Sequence, residues 1–137
     1  MNISQSSVHN PLDLFAAYLM ERRGMSLLAT AEGFITYQFP VSGPMAGACY
    51  IQDIYISPEA RRGGAGYELG ARVAALARAK GIRLLYGSSQ PSTGGSTTAL
   101  RMMLAVGFDV IAAHEDMLIL KKELKEKPET LEEAKGG

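Results

Sequence analysis

The chain reads as one mixed α/β domain, in the order α-β-β-β-α-β-α-β-β, a mixed sheet with helices. Its 137 residues match the size of one domain and suffice to bury a core without disulfides. Its apolar fraction of 47% and charged fraction of 20% are those of an ordinary globular protein. Stretches rich in β-branched and aromatic residues also alternate with stretches of helical apolar spacing, the mark of strands interleaved with helices.

Residues 1–10 are polar. Pro11 stands where a helix can begin, and "PLDLFAAYLMERRG" puts Leu12, Phe15 and Leu19 near helical spacing, with Gly24 as the stop. "MSLLATAEGFITYQFP" reads as two strands joined at Glu32–Gly33 and ending before Pro40, and "VSGPMAG" as a loop. "ACYIQDIYIS", 48–57, is the strongest strand, and Pro58 ends it. The apolar spacing predicts a helix over 65–80 with Leu69, Val73 and Leu76 on one face, Arg72 and Arg78 off it, and Gly81 just past its end. "IRLLYGSS" is a short strand and "QPSTGG" a loop. "STTALRMMLAVG" is a second helix with Ser96 as N-cap and Gly107 as stop. "FDVIAA" and "MLILKKEL" are two closing strands around "HED". From about residue 125 to 137 the charged, proline-broken tail is expected to be flexible.

Fourteen basic residues balance fourteen acidic ones, so no global field draws the protein to nucleic acid. Cys49 is the single cysteine, which excludes an internal disulfide and a multi-cysteine metal site and suits a reducing compartment. "MNISQSSVHN" lacks the basic and apolar pattern of a signal peptide, and "LFAAYLM" is far too short to span a bilayer. The expectation is a cytoplasmic protein with no metal, membrane or nucleic-acid partner.

"SPEARRGGAGYELG", 57–70, concentrates glycine and alanine where a helix opens, just after two arginines. A helix opening at Gly64-Ala65-Gly66 leaves N–H groups without intrahelical acceptors at the positive end of the helix dipole, which makes an anion site. Glycines let a phosphate approach the backbone, and Arg61 and Arg62 add forked cationic donors. Two phosphate motifs fail here. There is no G-x-x-x-x-G-K-[ST] lysine, and the dinucleotide fingerprint has Leu69 at its third glycine and no acid closing the next strand at Tyr86-Gly87-Ser88.

Arg61-Arg62-Gly63-Gly64-Ala65-Gly66 satisfies R-x-x-G-x-G and follows "IYISPEA". The run resembles the acetyl-CoA pyrophosphate loop of the GNAT superfamily of N-acetyltransferases. "STTALRMMLAVGFDVI" resembles the later helix of that family, with Ala99 and Gly107-Phe108 in register, so the likeness spans roughly 25–124. It implies a mostly antiparallel mixed sheet flanked by helices, with splayed parallel central strands and the pantetheine arm of acetyl-CoA in the gap. By that resemblance Ile54, Tyr55 and Ile56 supply backbone contacts, one N–H polarising the thioester carbonyl. Arg61, Arg62, Gly63, Gly64, Ala65, Gly66 and Tyr67 would hold the pyrophosphate. Ser96 and Met103 would face the cofactor from the second helix.

The resemblance also exposes departures. Where many relatives carry Glu-Asp, this chain has Gln52-Asp53. Asp53 is therefore the candidate base or substrate contact, directly or through water, against the competing reading of an aspartate bonded to neighbouring backbone or facing solvent. The tyrosine that protonates the departing thiolate is replaced by Met103, which has no proton to give, and the asparagine three residues before Ala99 by Ser96. Ser88, Ser89 and Tyr86 are polar alternatives that the sequence does not rank. His114, Glu115 and Asp116 lie on the expected substrate side, or simply form a solvated turn. The implied function is acetyl transfer from acetyl-CoA to an amine of a small molecule or protein, by direct attack in a ternary complex. The rival is a GNAT-fold protein that binds acyl-CoA or a partner without catalysis, and a third reading is a donor other than acetyl. Homodimers are common in such folds.

Overall fold

The computed structural model describes residues 10–94 and 96–125. The expectations for residues 1–9 and for most of the charged tail, beyond Lys125, lie outside the described residues. Helix α1, Pro11–Arg23, opens with the Asn10 side chain accepting from the Asp13 N–H at 2.8 Å and proline in its first turn. It closes at Gly24, whose positive φ of 65° lets the Gly24 and Met25 N–H groups bond back to Met20 and Leu19 carbonyls. Of Leu12, Phe15 and Leu19, only Leu19 is buried.

Strands β1, Ser26–Ala29, and β2, Gly33–Gln38, form an antiparallel hairpin. Strand β3, Cys49–Ile56, pairs antiparallel with β2 and leads through a 3-10 turn at Pro58–Ala60 into α2, Ala65–Ala79. Strand β4 is Leu84–Ser89 and α3 is Ser96–Ala105. Strands β5, Asp109–His114, and β6, Met117–Glu123, close the chain as a hairpin. The six strands lie in the order β1-β2-β3-β4-β6-β5, and β3–β4 is the parallel pair. A mixed, mostly antiparallel sheet flanked by helices is thus what the chain forms.

The core lies between the sheet and α2. Ile35, Leu69, Leu120, Val73 and Cys49 are its fully buried large side chains, and burying each aliphatic one stabilises the fold by about 1.5–3 kcal/mol. On α2 the buried stripe is Leu69, Val73 and Ala77, whereas Leu76 is exposed. Small Ala74 and Ala77 let the helix lie flat on the sheet, which turns Leu76 to the rim. Burial also pushes the Cys49 thiol up to about 12.

Candidate active site

Strands β3 and β4 pair only through Cys49↔Leu85, Tyr50↔Tyr86 and Ile51↔Gly87. Beyond Ile51 and Gly87 that ladder stops, although β3 continues to Ile56 and β4 to Ser89. Gln52 marks the parting. Thr36 opposes Asp53 and Tyr37 opposes Ile51, so Gln52 is an extra residue bulged out of β3, and a bulge bends its strand. At the base of the gap the Tyr50 hydroxyl and the Ser88 hydroxyl lie 2.8 Å apart and tie the two strands together. The backbone from Asp53 to Ile56 therefore borders a gap in the sheet, as the resemblance implied.

The glycine stretch stands at the end of β3. The first backbone bond into α2 runs from the Glu68 N–H to the Gly64 carbonyl, so the N–H groups of Ala65 and Gly66 stand in the first turn, where a helix supplies no acceptor. Gly64 caps the helix at φ 85°, a left-handed conformation that glycine adopts without strain. Arg61, Arg62, Gly63 and Gly64 are exposed. Arg61 is held in place: its Nε donates to the Ile56 carbonyl at 3.0 Å and its guanidinium lies 5.5 Å from the Tyr55 ring centroid. Ala65 and Gly66 are buried. A Cβ on Gly66 would overlap the Met102 sulfur, so the Met102 side chain uses the space this glycine leaves.

Met102 faces Gly66 and Ile56, at the mouth of the gap, while Met103 is 5% exposed and points at Gly87 and Phe108. A cavity of about 110 Å³ lies between α2, α3 and the sheet, with Ile51, Ile54, Gly66, Tyr67, Met102 and Met103 in its lining. Met103 thus combines core packing with a place on the cavity wall. Ser96 is the first residue of α3, one position inside the N-cap place expected for it.

Asp53 occupies the opposite face of the sheet. Its backbone N–H donates to the Thr36 hydroxyl at 3.0 Å, and that hydroxyl donates to the Asp53 carboxylate at 3.3 Å. Thr36 is buried and Asp53 exposed, so the strand neighbour orients the carboxylate at the surface. The competing reading of a neighbour-bonded aspartate is half met, through a side chain rather than through backbone. Two positions along, the Phe34 and Tyr55 rings pack at a tilt of 32° on this same face, with centroids 6.0 Å apart. They line a groove of about 390 Å³ between α1 and the β1–β2 hairpin, together with Leu12, Phe15 and Glu32.

The polar turn His114–Asp116 divides in role. Asp116 accepts from both the Ser92 N–H, at 3.0 Å, and the Ser92 hydroxyl, tying the β5–β6 turn to the loop after β4. His114 and Glu115 are exposed and 3.9 Å apart. Among the described residues no group of three or more His, Cys, Asp or Glu could hold a metal ion, and no helix is long and apolar enough to cross a membrane. Thr36 and the pairing of Tyr50 with Ser88 were absent from the sequence reading. Only the alternation of β2 could have flagged Thr36, as a polar residue between Ile35 and Tyr37.

Comparison with known proteins agrees with this geometry. The sequence profile of the Acetyltransferase (GNAT) family matches residues 6–108. No curated protein sequence matches the chain. Among solved structures, a GNAT family acetyltransferase from Elizabethkingia anophelis with acetyl-CoA bound is similar at a TM-score of 0.60 and 19% identity, over 87% of this chain and 94% of that one. The ribosomal-protein-alanine N-acetyltransferase of Brucella melitensis matches at 0.60 and 18% identity, over 85% and 81%. The PaiA N-acetyltransferase of Thermoplasma acidophilum, in complex with coenzyme A, matches at 0.58 and 18% identity, over 67% of this chain and 53% of that one. This chain therefore spans about half the length of that relative. Such identities establish a shared fold, and the profile, covering well over half of the sequence, establishes the family: the chain belongs to the GNAT acetyltransferases.

Proposed function

We propose that the protein transfers an acetyl group from acetyl-CoA to an amine of a small molecule or protein, by direct attack in a ternary complex. The observation that carries this reading is the parting of β3 from β4 after Ile51 and Gly87, with a glycine-opened helix N-terminus at the mouth of the gap. The pantetheine arm would take the place of the missing ladder along Ile54, Tyr55 and Ile56. The loop from Arg61 to Tyr67 would hold the pyrophosphate through N–H groups and guanidinium charge, with Ser96 and Met103 on the helix beside the cofactor. Relatives solved with coenzyme A or acetyl-CoA support the choice of ligand.

The acceptor amine would come from the other face, where Asp53 and the Phe34–Tyr55 groove lie. An alkyl ammonium, with a pKa near ~10, must lose a proton before it can attack. Asp53 would take that proton, directly or through water, or hold the cationic acceptor in place. Attack builds negative charge on the carbonyl oxygen, which a β3 backbone N–H would stabilise. A buried lone Cys49 suits a reducing compartment, and a cytoplasmic location belongs to this reading.

The second reading, an acyl-CoA-binding or interaction protein without turnover, is favoured by Gln52 and Met103, since neither moves a proton. Incubating the protein with acetyl-CoA and a panel of amines, while following free thiol, separates the two. Amine-dependent thiol release is expected. In Asp53→Asn the loss of kcat/KM should shrink as pH rises toward the amine pKa, with acetyl-CoA affinity kept. Tight CoA binding without thiol release would establish the second reading instead.

A further inference from the structure

The Ser89 hydroxyl is the one buried side-chain oxygen or nitrogen among the described residues with no hydrogen-bond partner. Ser89 is only 6% exposed. A buried hydroxyl without a partner is unfavourable relative to one in water, and native proteins leave few such groups unsatisfied. This one stands in the sheet beside the gap. Ser89 ends β4 two residues past Gly87, the last residue paired with β3, and is kept in the sheet by its pairing with Leu118 of β6.

Side chains alternate along a strand, so Ser89 projects to the same face as Leu85 and Gly87, both buried. On that face the Met103 sulfur and the Phe108 ring stand over Gly87. The hydroxyl therefore lies on the open arm of the gap, on the side that α3 covers. Continuing the register from Ile51↔Gly87 brings Ser89 level with the Gln52–Asp53 bulge of β3. Asp53 bonds Thr36 on the far face, so the gap has a carboxylate on one face and an unpaired hydroxyl on the other.

Resting on the acyl-CoA reading above, we propose that the Ser89 hydroxyl donates a hydrogen bond to the sulfur of coenzyme A and stabilises it as it departs. In the transfer, the amine nitrogen forms a bond to the carbonyl carbon and the carbon–sulfur bond breaks. Its electron pair stays on sulfur, and the amine's surplus proton leaves through Asp53 or water. Sulfur then carries the charge, and Met103 has no proton to offer it. An alcohol is a much weaker acid than a thiol, so Ser89 keeps its proton and only shares it. The thiolate is finally protonated from solvent. A hydrogen bond to a charged acceptor is stronger than a neutral one, so the help is greatest as the bond breaks.

The test compares wild type with Ser89→Ala at pH 9, where a thiol of pKa near ~8.5 is largely thiolate. Binding is measured by calorimetry for coenzyme A and for desulfo-coenzyme A, which carries hydrogen in place of the thiol. Ser89→Ala should bind coenzyme A about 10-fold more weakly, a difference of about 1.4 kcal/mol, and desulfo-coenzyme A unchanged. The melting temperature of the ligand-free variant should stay level or rise, because no internal bond is lost. Equal weakening toward both ligands, or toward neither, would overturn the assignment to sulfur. So would a marked fall in ligand-free stability, which would reveal a structural partner. Failure of the wild type to bind either ligand would instead remove the acyl-CoA reading itself.

Discussion

The two faces of the sheet are built on different terms. On one face α2 and α3 cover Ile35, Ile51, Leu85 and Leu120, all buried, with Leu69 and Val73 driven in from the helix. On the other, α1 is the main cover and packs on the edge strand β1, leaving Leu12, Leu14, Phe15, Tyr18 and Met20 at 44–57% exposure. The first face holds the buried core. The second carries side chains held by polar contacts, Thr36–Asp53 and Tyr50–Ser88. The sheet is packed from one side and left accessible from the other.

The largest expected effect tests that contrast on stability. Leu69→Ala should destabilise the fold by about 2–5 kcal/mol, the range for a fully buried leucine. Phe15→Ala on α1 should fall within about 1 kcal/mol, as expected for a half-exposed side chain. Denaturant titration of both variants measures the difference, and equal losses would mean that α1 is as integral to the core as α2.

Met103→Tyr should overpack the covered face by about 1–3 kcal/mol, because Met103 already presses on the backbone at Gly87: a Cβ there would sit 3.0 Å from its sulfur. Thermal melting reads this, and an unchanged melting temperature would show that the cavity beside Met103 takes a phenol freely. The double variant Arg61→Ala, Arg62→Ala should weaken coenzyme A binding by about 1–3 kcal/mol by calorimetry. Gly63→Ala sharpens the same point. Gly63 lacks the positive φ that makes any substitution of Gly64 strained, and its Cβ would meet only the Ala60 carbonyl at an ordinary 3.6 Å. A folded Gly63→Ala variant that binds coenzyme A unchanged would place the pyrophosphate elsewhere than against this turn.

The smallest effect is on pH dependence. Burial holds the Cys49 thiol at about 12 against an ordinary value of 9.0, so the folded state keeps a proton that the unfolded chain loses first. Its contribution is complete below pH 9 and is lost as pH rises from about 9 to about 12, at up to about 1.4 kcal/mol per pH unit. Tyr37, whose phenol burial also pushes up, adds the same sign at higher pH. Comparing stability at pH 8 and pH 10 in wild type and Cys49→Ala isolates the thiol, and identical slopes would contradict its retention of the proton.

The glycine-opened turn was legible because its features are local: consecutive residues provide the guanidinium groups, the left-handed glycine and the helix opening. The strand 48–57 was equally plain. The surroundings of Asp53 and the gap were less so, because their contacts join residues far apart in the chain. Thr36 meets Asp53 across 17 positions and Tyr50 meets Ser88 across 38. The bulge at Gln52 is a property of the pairing with β2, and nothing within β3 announces it. The contact of Met102 with Gly66 likewise joins residues of two separate helices. The exposure of α1 had the same origin, as the hydrophobic side chains were readable but the surface awaiting them was not.

Hydrogen exchange along β3, with and without coenzyme A, tests the central claim most directly. The β3–β4 ladder ends at Ile51 and Gly87, where pantetheine would complete it. The gap-facing amides between Asp53 and Ile56 should slow on ligand addition, together with those of the turn at Gly63–Gly66, while amides of the edge strand β5 keep their rates. Saturating coenzyme A that leaves the Asp53–Ile56 amides unchanged would contradict the assignment of this gap as the cofactor site.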